Sequence, residues 1–253
     1  MSKQYSYLAG CYDLLNSDFN YKEYARFIDS EIRKSERLRS SLVLDLGCGT
    51  GKITFALRDL GYDMTGVDFS VEMLDIAKNT ADEMGLGDRI LWLCQDMCEF
   101  ELYGTVDVTV SCLDCINHLT DTKSLTKCFD LVHNYLIPNG LFIFDINGKH
   151  KFENVYADNS YVIEDGDCFC VWQNCYNKRN GLCDFYITVF EEGDDGRYER
   201  YDEEQREKMY TLRAIKKALT ACGFEFIGAY RDFGFTPASD DDDRIYVVAR
   251  CKK

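Results

Sequence analysis

Three glycines at alternate positions could bring a ligand against the main chain of this protein. In the stretch LVLDLGCGTGK (residues 42–52), Gly47, Gly49 and Gly51 follow a short apolar run. A tight turn needs one glycine, whereas three at this spacing leave a backbone that no side chain covers. The next stretch has helical periodicity, so the turn would aim a helix N-terminus at whatever lies there. The spacing therefore predicts a loop whose backbone closely approaches a bound ligand.

Two known phosphate-binding motifs are similar in composition but differ in spacing. A P-loop requires G-x-x-x-x-G-K-[ST], and that pattern cannot be read in residues 42–52. A dinucleotide-binding turn has G-x-G-x-x-G, in which the third glycine lets a helix pack beside a pyrophosphate. The G-x-G-x-G spacing fits neither motif, so it disfavours an NTPase and a nicotinamide-dependent oxidoreductase.

Cysteine is frequent, with 13 residues in a chain of 253. Cys112 and Cys115 form a C-x-x-C pair, and Cys168 and Cys170 form a C-x-C pair. A structural zinc site needs two pairs with suitable flanking loops, but Cys112 instead ends an apolar run. We expect reduced, buried thiols and no metal.

Strand-like and helical stretches alternate from residue 41 to residue 147 and indicate a parallel sheet. Ser70 is the expected N-cap of one crossover helix, and the last of these helices is expected to end at residues 138–140. This rhythm predicts a doubly wound α/β fold, which binds ligands at the carboxyl ends of its strands. The expected strands are SLVLDLG (41–47), DMTGVDFS (63–70), RILWLCQD (89–96), VDVTVSCLD (106–114) and GLFIFDIN (140–147).

The alternation breaks beyond residue 150, where Tyr, Phe and Val recur with a period near two. Asn180-Gly181 lies between two strand-like runs and is a hairpin signal. The pattern predicts an antiparallel β insertion of about four strands, placed before the last helix. The expected parts of the chain are N-terminal helices (1–40), a core (41–150 and 208–253) and the insertion (151–207).

Charge and hydropathy exclude several kinds of partner. The formal net charge is −15, and no positive stripe that could bind a phosphate backbone is visible. No apolar run reaches the roughly 18 residues of a membrane span, and the first residues lack a signal-peptide pattern. We expect a cytoplasmic protein with no nucleic-acid or membrane partner. The oligomeric state stays open, with a homodimer among the alternatives.

The stretch VLDLGCGTG resembles motif I of the class I S-adenosylmethionine-dependent methyltransferases. The likeness continues through GVDFS, CQDM (94–97) and VDVTVSCLDCINHL, and it returns in the final helix and two strands. The resemblance thus covers residues 41–147 and the end of the chain. It implies a Rossmann-like seven-stranded sheet, with an antiparallel last strand, and S-adenosyl-L-methionine as cofactor.

The resemblance also implies roles for individual residues. Asp68 would accept hydrogen bonds from both ribose hydroxyls, and Asp96 would take the adenine amine. Met73 would pack on the adenine face, and Asp45 would orient the glycine loop and the amine of the cofactor. The implied cofactor-binding residues are Tyr21, Asp45, Gly47, Cys48, Gly49, Gly51, Asp68, Phe69, Met73, Asp96, Met97 and Ser111.

The candidate catalytic residues are His118 and Tyr12. His118 follows the fourth strand, where it could act as a general base or hydrogen-bond partner, or only as a cap or half-buried structural residue. Tyr12 and Tyr21 lie in a segment similar to the lid helices of glycine N-methyltransferase-like and deoxysugar N-methyltransferase-like enzymes. In those branches a lid tyrosine reaches the cofactor or substrate, whereas core packing is the alternative here.

The resemblance implies methyl transfer to an amine or hydroxyl of a small molecule. The fourth motif, SCLDCINHL, lacks the Asn/Asp-Pro-Pro-aromatic sequence that many nucleic-acid amino-methyltransferases carry. The insertion occupies the place of a substrate-covering subdomain in the small-molecule branches. Two alternatives stay open: a sensor that binds the cofactor or its product without turnover and, less favoured by the glycine spacing, a nicotinamide-dependent oxidoreductase.

Overall fold

The computed structural model describes residue 16 and residues 18–35, 42–165, 168–193 and 195–253. Eleven strands form two sheets within these residues. In chain order they are β1 (Leu42–Leu46), β2 (Asp63–Asp68), β3 (Leu91–Cys94), β4 (Val106–Ser111), β5 (Leu136–Asn147), β6 (Ser160–Asp165), β7 (Cys168–Asn177), β8 (Leu182–Glu192), β9 (Tyr198–Lys208), β10 (Phe224–Tyr230) and β11 (Arg244–Cys251).

Five α-helices accompany the strands in the described part of the chain. They are α1 (Tyr21–Lys34), α2 (Lys52–Asp59), α3 (Val71–Glu83), α4 (Thr122–Tyr135) and α5 (Leu212–Ala221). Ser70 caps α3 as predicted, since its hydroxyl accepts a hydrogen bond from Met73 N at 3.1 Å. None of the described helices combines the length and apolar composition that a membrane crossing requires.

The larger sheet has seven strands in the order β10-β11-β5-β4-β1-β2-β3. Strands β1 to β5 pair in parallel, whereas β11 runs antiparallel to both β5 and β10. The fold class predicted from the sequence is confirmed, including the antiparallel last strand. The strand order reverses between β1 and β4, and the crevice beyond their carboxyl ends is where such sheets bind ligands.

The parallel strands are buried on both faces, which explains their nearly continuous apolar sequences. Leu44 and Leu46 pack into one core cluster, while Val43 packs into the cluster on the opposite face. The acids Asp45 and Asp68 interrupt or end these strands and are nonetheless buried. A buried acid costs free energy unless it has partners, so both acids mark the region of the candidate site.

One predicted boundary was wrong. Helix α4 ends at Tyr135, and β5 already begins at Leu136, so residues 138–140 belong to the strand. The pairing jumps from Val106–Leu136 to Val108–Leu141, and the bulge in β5 holds Pro138 away from the regular ladder. A proline, which has no N–H to donate, is tolerated within a strand at such an irregularity.

The smaller sheet is the predicted antiparallel insertion, with four strands in the order β6-β7-β8-β9. A short π-helical segment, Lys151–Tyr156, precedes it. One face of the sheet is buried on an aromatic cluster that includes Phe152, Tyr156 and Phe185. Strand β9 places three polar side chains on this buried face, Glu203, Gln205 and Glu207. An inward polar row is unusual for a strand and points to a functional use of this face.

Candidate active site

The glycine turn after β1 is anchored to β2 by its backbone. Gly47 N and Cys48 N both donate hydrogen bonds to Val67 O, at 2.8 and 3.0 Å. Gly47 and Gly49 have φ angles of +79° and +53°, which other residues adopt only with strain. A Cβ atom on Gly47 would lie 2.6 Å from Cys115 Sγ, whereas one on Gly49 would meet nothing within 4 Å. Gly47 is therefore required for packing against Cys115, whereas Gly49 leaves open space beside the turn.

Asp68 fixes the same turn from the end of β2. Its Oδ2 accepts a hydrogen bond from Gly49 N at 2.8 Å, and its Oδ1 accepts one from Ser70 N at 2.9 Å. Burial raises the pKa of this carboxyl, while the hydrogen bonds from the two backbone amides oppose the rise. Each carboxylate oxygen keeps further acceptor capacity, so Asp68 can hold the loop and still receive hydroxyl donors from a ligand.

A cavity of about 300 Å³ lies against this turn at the carboxyl ends of the strands. The structure brings eight predicted site residues together in its wall. These are Gly47, Gly49, Asp68, Phe69, Met73, Asp96, Met97 and His118. The wall also contains Gln95, Cys98, Leu113 and Thr120, among others that the sequence did not single out.

The far end of this cavity combines an apolar wall with a polar edge. Met73 is 2% exposed and contributes to the wall from the first turn of α3. Asp96 is exposed, and its Oδ1 accepts a hydrogen bond from Cys98 N at 2.7 Å, which fixes the carboxylate at the rim. A flat heterocycle with an exocyclic amine could pack on the thioether and reach this carboxylate.

A second, much smaller cavity of about 20 Å³ lies on the other side of the glycine turn. Tyr21, Asp45, Gly47, Cys48 and Gly49 contribute to its wall. Asp45 is almost fully buried, and Thr54 Oγ1 donates a hydrogen bond to its Oδ2 at 2.6 Å. Burial raises the pKa of Asp45 to about 7, with a smaller contribution from the charge of Asp68. A positively charged ligand group beside this carboxyl would offset the free-energy cost of burying its negative charge.

Gly51 and Ser111 line neither of these two cavities. A Cβ on Gly51 would lie 2.8 Å from Cη2 of Trp92, so this glycine permits helix α2 to pack against β3. The hydroxyl of the fully buried Ser111 donates a hydrogen bond to Leu46 O at 2.8 Å and ties β4 to β1. Direct cofactor contact by these two residues stays a prediction. Tyr12 lies outside the described residues.

His118 stands at the edge of the larger cavity, where a short 3₁₀ helix, Cys115–His118, follows β4. Its ring hydrogen-bonds to the backbone of Arg206 on β9, which links the cavity to the insertion. Burial lowers the pKa of His118 below its usual range, and the charge of Asp114 partly opposes this. A neutral imidazole that donates one N–H to a carbonyl presents a lone pair on its other nitrogen.

A buried ionic group shapes the turn that carries His118. Asp145 Oδ2 accepts a hydrogen bond from Leu113 N, and its Oδ1 accepts one from Asp114 N, both at 2.8 Å. Leu113 and Asp114 have φ angles of +57° and +56°, so this turn is strained. The guanidinium of Arg244 donates to Asp145 and, at 2.7 Å, to Asp114 Oδ1. The ion pairs hold the strained turn in place.

A second group of buried polar side chains joins β5 to the insertion. Asn147 N donates a hydrogen bond to Asn117 Oδ1 at 2.9 Å, and Asn117 Nδ2 donates one to Lys208 O at 2.8 Å. Asn147 Nδ2 donates to Tyr156 Oη at 3.0 Å and to Glu207 Oε2 at 3.2 Å. These contacts bring the end of β9 beside the turn that carries His118.

Most residues of this polar group were not predicted from the sequence. Asp145 and Asn147 end the apolar stretch GLFIFDIN, and polar residues at the carboxyl end of a buried strand were an available signal. Arg244 and Glu207 carried no such signal, since their side-chain partners Asp145 and Asn147 lie 99 and 60 residues away in the sequence. In the described part of the chain, Asp114, His118 and Glu207 have ligand atoms within 4.8 Å of one another.

The residues present fit the adenosyl cofactor that the resemblance implies. Asp68 offers acceptors for a sugar diol, and Met73 with Asp96 offers a wall and an acceptor for an adenine. The space in front of Gly49 is open to a ligand. Asp45 lies where the cationic amino-acid end of the cofactor would offset the cost of burying its carboxylate.

Comparisons with known proteins agree with this geometry. A methyltransferase domain family matches residues 43–140. A protein of Geobacillus sp. (strain WCH70), provisionally named a methyltransferase, is 30% identical over 97% of this chain and 99% of its own. A solved S-adenosylmethionine-dependent methyltransferase from Clostridium acetobutylicum ATCC 824 is 30% identical, with a TM-score of 0.87 over 98% of this chain and 99% of that one.

A more distant solved structure shares the fold. The sugar N-methyltransferase KedS8 of Streptoalloteichus sp. ATCC 53650 is 18% identical, with a TM-score of 0.76. The alignment covers 96% of this chain and 93% of that one, so it spans the insertion as well as the core.

Proposed function

The chain belongs to the S-adenosylmethionine-dependent methyltransferases, and we propose that it transfers the methyl group to an amine or hydroxyl of a small molecule. One observation carries this proposal. The cavity beside the glycine turn has His118 in its wall, and the ring of His118 is bonded to the insertion. A cofactor in the cavity and an acceptor under the insertion would thus meet at a single side chain that can accept a proton.

When bound, the cofactor supplies an activated methyl group, so the protein has to orient the acceptor and exclude water. Asp68 and Asp96 would hold the adenosine, and Gly49 would let its backbone lie close to the ligand. Asp45 would face the amino-acid end. These roles leave His118 as the group that accepts a proton from the acceptor.

The two parts of the chain outside the core would cover the acceptor. The insertion, residues 151–207, places its buried face and Glu207 next to the turn of His118. The N-terminal region, residues 1–40, would act as a lid, and Tyr21 of α1 lines the smaller cavity beside Asp45. Coverage by both parts would restrict the space for an acceptor, which favours a small molecule over a polymer.

Charge supports the same class of acceptor. The formal net charge of −15 opposes the approach of nucleic acid. The solved structure of KedS8, which covers most of this chain, is that of an enzyme named for methylating a sugar nitrogen. A small acceptor with an amine or hydroxyl agrees with both observations.

The test is the fate of a radiolabelled methyl group. The protein is incubated with S-adenosylmethionine labelled on its methyl group and with a cell extract divided by ultrafiltration into small and large molecules. We expect label in the small-molecule fraction, and much less of it at a subsaturating cofactor concentration when Asp68→Ala replaces the wild type. Label confined to RNA or protein would overturn the proposed acceptor class.

A further inference from the structure

The buried polar group beside His118 carries an unbalanced charge. Three carboxyl groups, on Asp114, Asp145 and Glu207, share this region with two basic groups, on Lys151 and Arg244. When all five are ionised, one negative charge is left over. Buried charges in proteins are normally paired or neutralised by a proton, so the excess is removed either by a proton on Glu207 in the unliganded protein or by one additional positive charge on a ligand.

Glu207 is the carboxyl group that lacks an ionic partner. Arg244 bridges the other two carboxylates, whereas Glu207 forms no ion pair within 4 Å in the described part of the chain. Its side chain is 3% exposed, and Asn147 Nδ2 donates the one hydrogen bond that it accepts from the described residues, at 3.2 Å. Burial raises the pKa of this carboxyl, and the charge of Asp114 adds to the rise. A cation beside Glu207 would lower the pKa that burial and the charge of Asp114 raise.

The buried face that carries Glu207 holds further polar atoms without partners. Trp172 Nε1 and Asn174 Oδ1 on β7 are buried and form no hydrogen bond with the described residues. Asn174 is 7% exposed and pairs across Phe185 with Gln205, so its side chain shares the face of Glu207. A donor and an acceptor left unsatisfied each cost free energy unless a ligand pairs with them.

A divalent metal is the other ion that such a group could hold. Asp114, His118 and Glu207 could place three ligand atoms around one point. The guanidinium of Arg244 already lies 2.7 Å from Asp114 Oδ1, and Lys151 Nζ lies 3.1 Å from Asn147 Oδ1, next to Glu207. A double positive charge would exceed the single negative charge available and would be repelled by both basic groups. A monovalent cation matches the charge.

From this we propose that the acceptor is an amine, and that Glu207 together with Asp114 holds its ammonium group beside His118. The inference rests on the proposed function and names its substrate class. His118 takes one proton from the ammonium group and later releases it to solvent. The freed nitrogen lone pair then forms the N–C bond as the C–S bond breaks, with the electron pair of that bond staying on sulfur, and the product is a methylated ammonium ion.

The chemistry of His118 agrees with an amine rather than a hydroxyl. Burial lowers the pKa of the imidazole, which makes it a weak base. A weak base removes a proton from an ammonium ion far more readily than from an alcohol, because the alcohol is the much weaker acid. The unpartnered atoms of Trp172 and Asn174 would pair with polar groups on the body of the acceptor.

The test compares two cofactor analogues, so it does not require the acceptor itself. S-adenosylhomocysteine lacks the methyl group, whereas sinefungin carries a protonated primary amine at that position. Calorimetric titration of the wild type should show sinefungin binding about tenfold more tightly, as expected for a hydrogen-bonded charge. Glu207→Gln should abolish most of that preference and leave the affinity for S-adenosylhomocysteine within about twofold of wild type.

Glu204→Gln is the matched control, because Glu204 lies on the same strand but its side chain is exposed. It removes the same charge and should leave both affinities unchanged. Wild-type protein that binds both analogues equally, or a preference that survives Glu207→Gln, would overturn the amine assignment. A rise in melting temperature with Mg²⁺ that Glu207→Gln removes would overturn it in favour of a metal. Failure of the wild type to bind either analogue would instead count against the proposed function.

Discussion

The two sides of the cavity hold their polar groups in different ways. On the side of β1 and β2, backbone amides donate the hydrogen bonds that fix the polar groups: Gly47 N donates to Val67 O, and Gly49 N donates to Asp68. On the side of β4, β5 and the insertion, side chains pair with one another, as Arg244 does with Asp114 and Asp145. We refer to these as the backbone side and the side-chain side.

This difference shows how one fold can keep its cofactor and change its acceptor. The backbone side depends on a turn whose shape is set by glycine, so few substitutions preserve it. The side-chain side depends on residues such as Glu207, whose replacement alters charge without altering the course of the strand. Specificity for the acceptor can therefore vary while the cofactor site is retained.

The largest effect is expected on the side-chain side, from Arg244→Met. This change leaves the carboxylates of Asp114 and Asp145 buried without their cation, which should lower the free energy of unfolding by about 3–5 kcal/mol. Arg200→Met is the matched control, since Arg200 and Asp202 form an exposed pair with 61% and 59% of their side-chain surfaces accessible. Exposed pairs contribute at most about 1 kcal/mol. Urea denaturation of both variants measures the difference, and similar losses would contradict the account.

On the backbone side, Gly47→Ala and Gly49→Ala should separate packing from binding. Both introduce a side chain at positive φ, but only Gly47→Ala also forces a Cβ against Cys115 Sγ, at 2.6 Å. We expect Gly47→Ala to lower the free energy of unfolding by about 2–4 kcal/mol, and Gly49→Ala by about 1 kcal/mol. Gly49→Ala should instead weaken S-adenosylhomocysteine binding, because its methyl group enters the open space. Denaturation and calorimetry together measure both, and the reverse pattern would disprove the assignment.

Asp45 on the backbone side and His118 on the side-chain side should respond to pH with opposite sign. Burial raises the pKa of Asp45 to about 7, so its contribution to stability is full at low pH and is lost as the pH rises through about 7. Between pH 5 and pH 7, this group should make the unfolding free energy of the wild type fall by up to about 1.4 kcal/mol per pH unit. Asp45→Asn should lack this fall. Denaturation of the unliganded protein across this range checks the prediction. A wild-type curve parallel to that of Asp45→Asn would refute it.

A smaller effect of the opposite sign is expected from His118 on the side-chain side. Its pKa is lowered by burial, so the unfolded chain binds a proton more readily, and stability is lost as the pH falls below about 6.5. Asp114 and Glu207 lie beside the ring, and the negative charge of Asp114 limits the loss. His118→Asn should flatten the acid side of the stability curve. An acid side that is as steep as in the wild type would show that another group causes it.

The backbone side could be predicted from the sequence because its information is local. The glycine triplet, Asp68 at the end of a strand and Ser70 as a cap lie within short segments whose residue types determine the turn. The alternating pattern of the core likewise predicted the order of strands and helices. Even here the end of α4 was misplaced, because the bulge at residues 136–141 depends on pairing with β4.

The side-chain side could not be predicted in the same way. Arg244 and Asp145 are separated by 99 residues, and Asn147 and Glu207 by 60, so their contacts depend on the register of distant strands. The alternation of the insertion identified strands but did not indicate that β9 turns Glu207 inward. Only pairing with β8, which aligns Glu207 with Cys183, fixes that orientation.

The division of the cavity into two sides is tested most directly by calorimetric titration of S-adenosylhomocysteine into the wild type, Asp68→Ala and Glu207→Gln. The account predicts that Asp68→Ala weakens binding by about 1–3 kcal/mol, the cost of losing hydrogen bonds at a buried site. Glu207→Gln should bind like the wild type. Equal weakening in both variants, or in neither, would contradict the assignment of the cofactor to the backbone side.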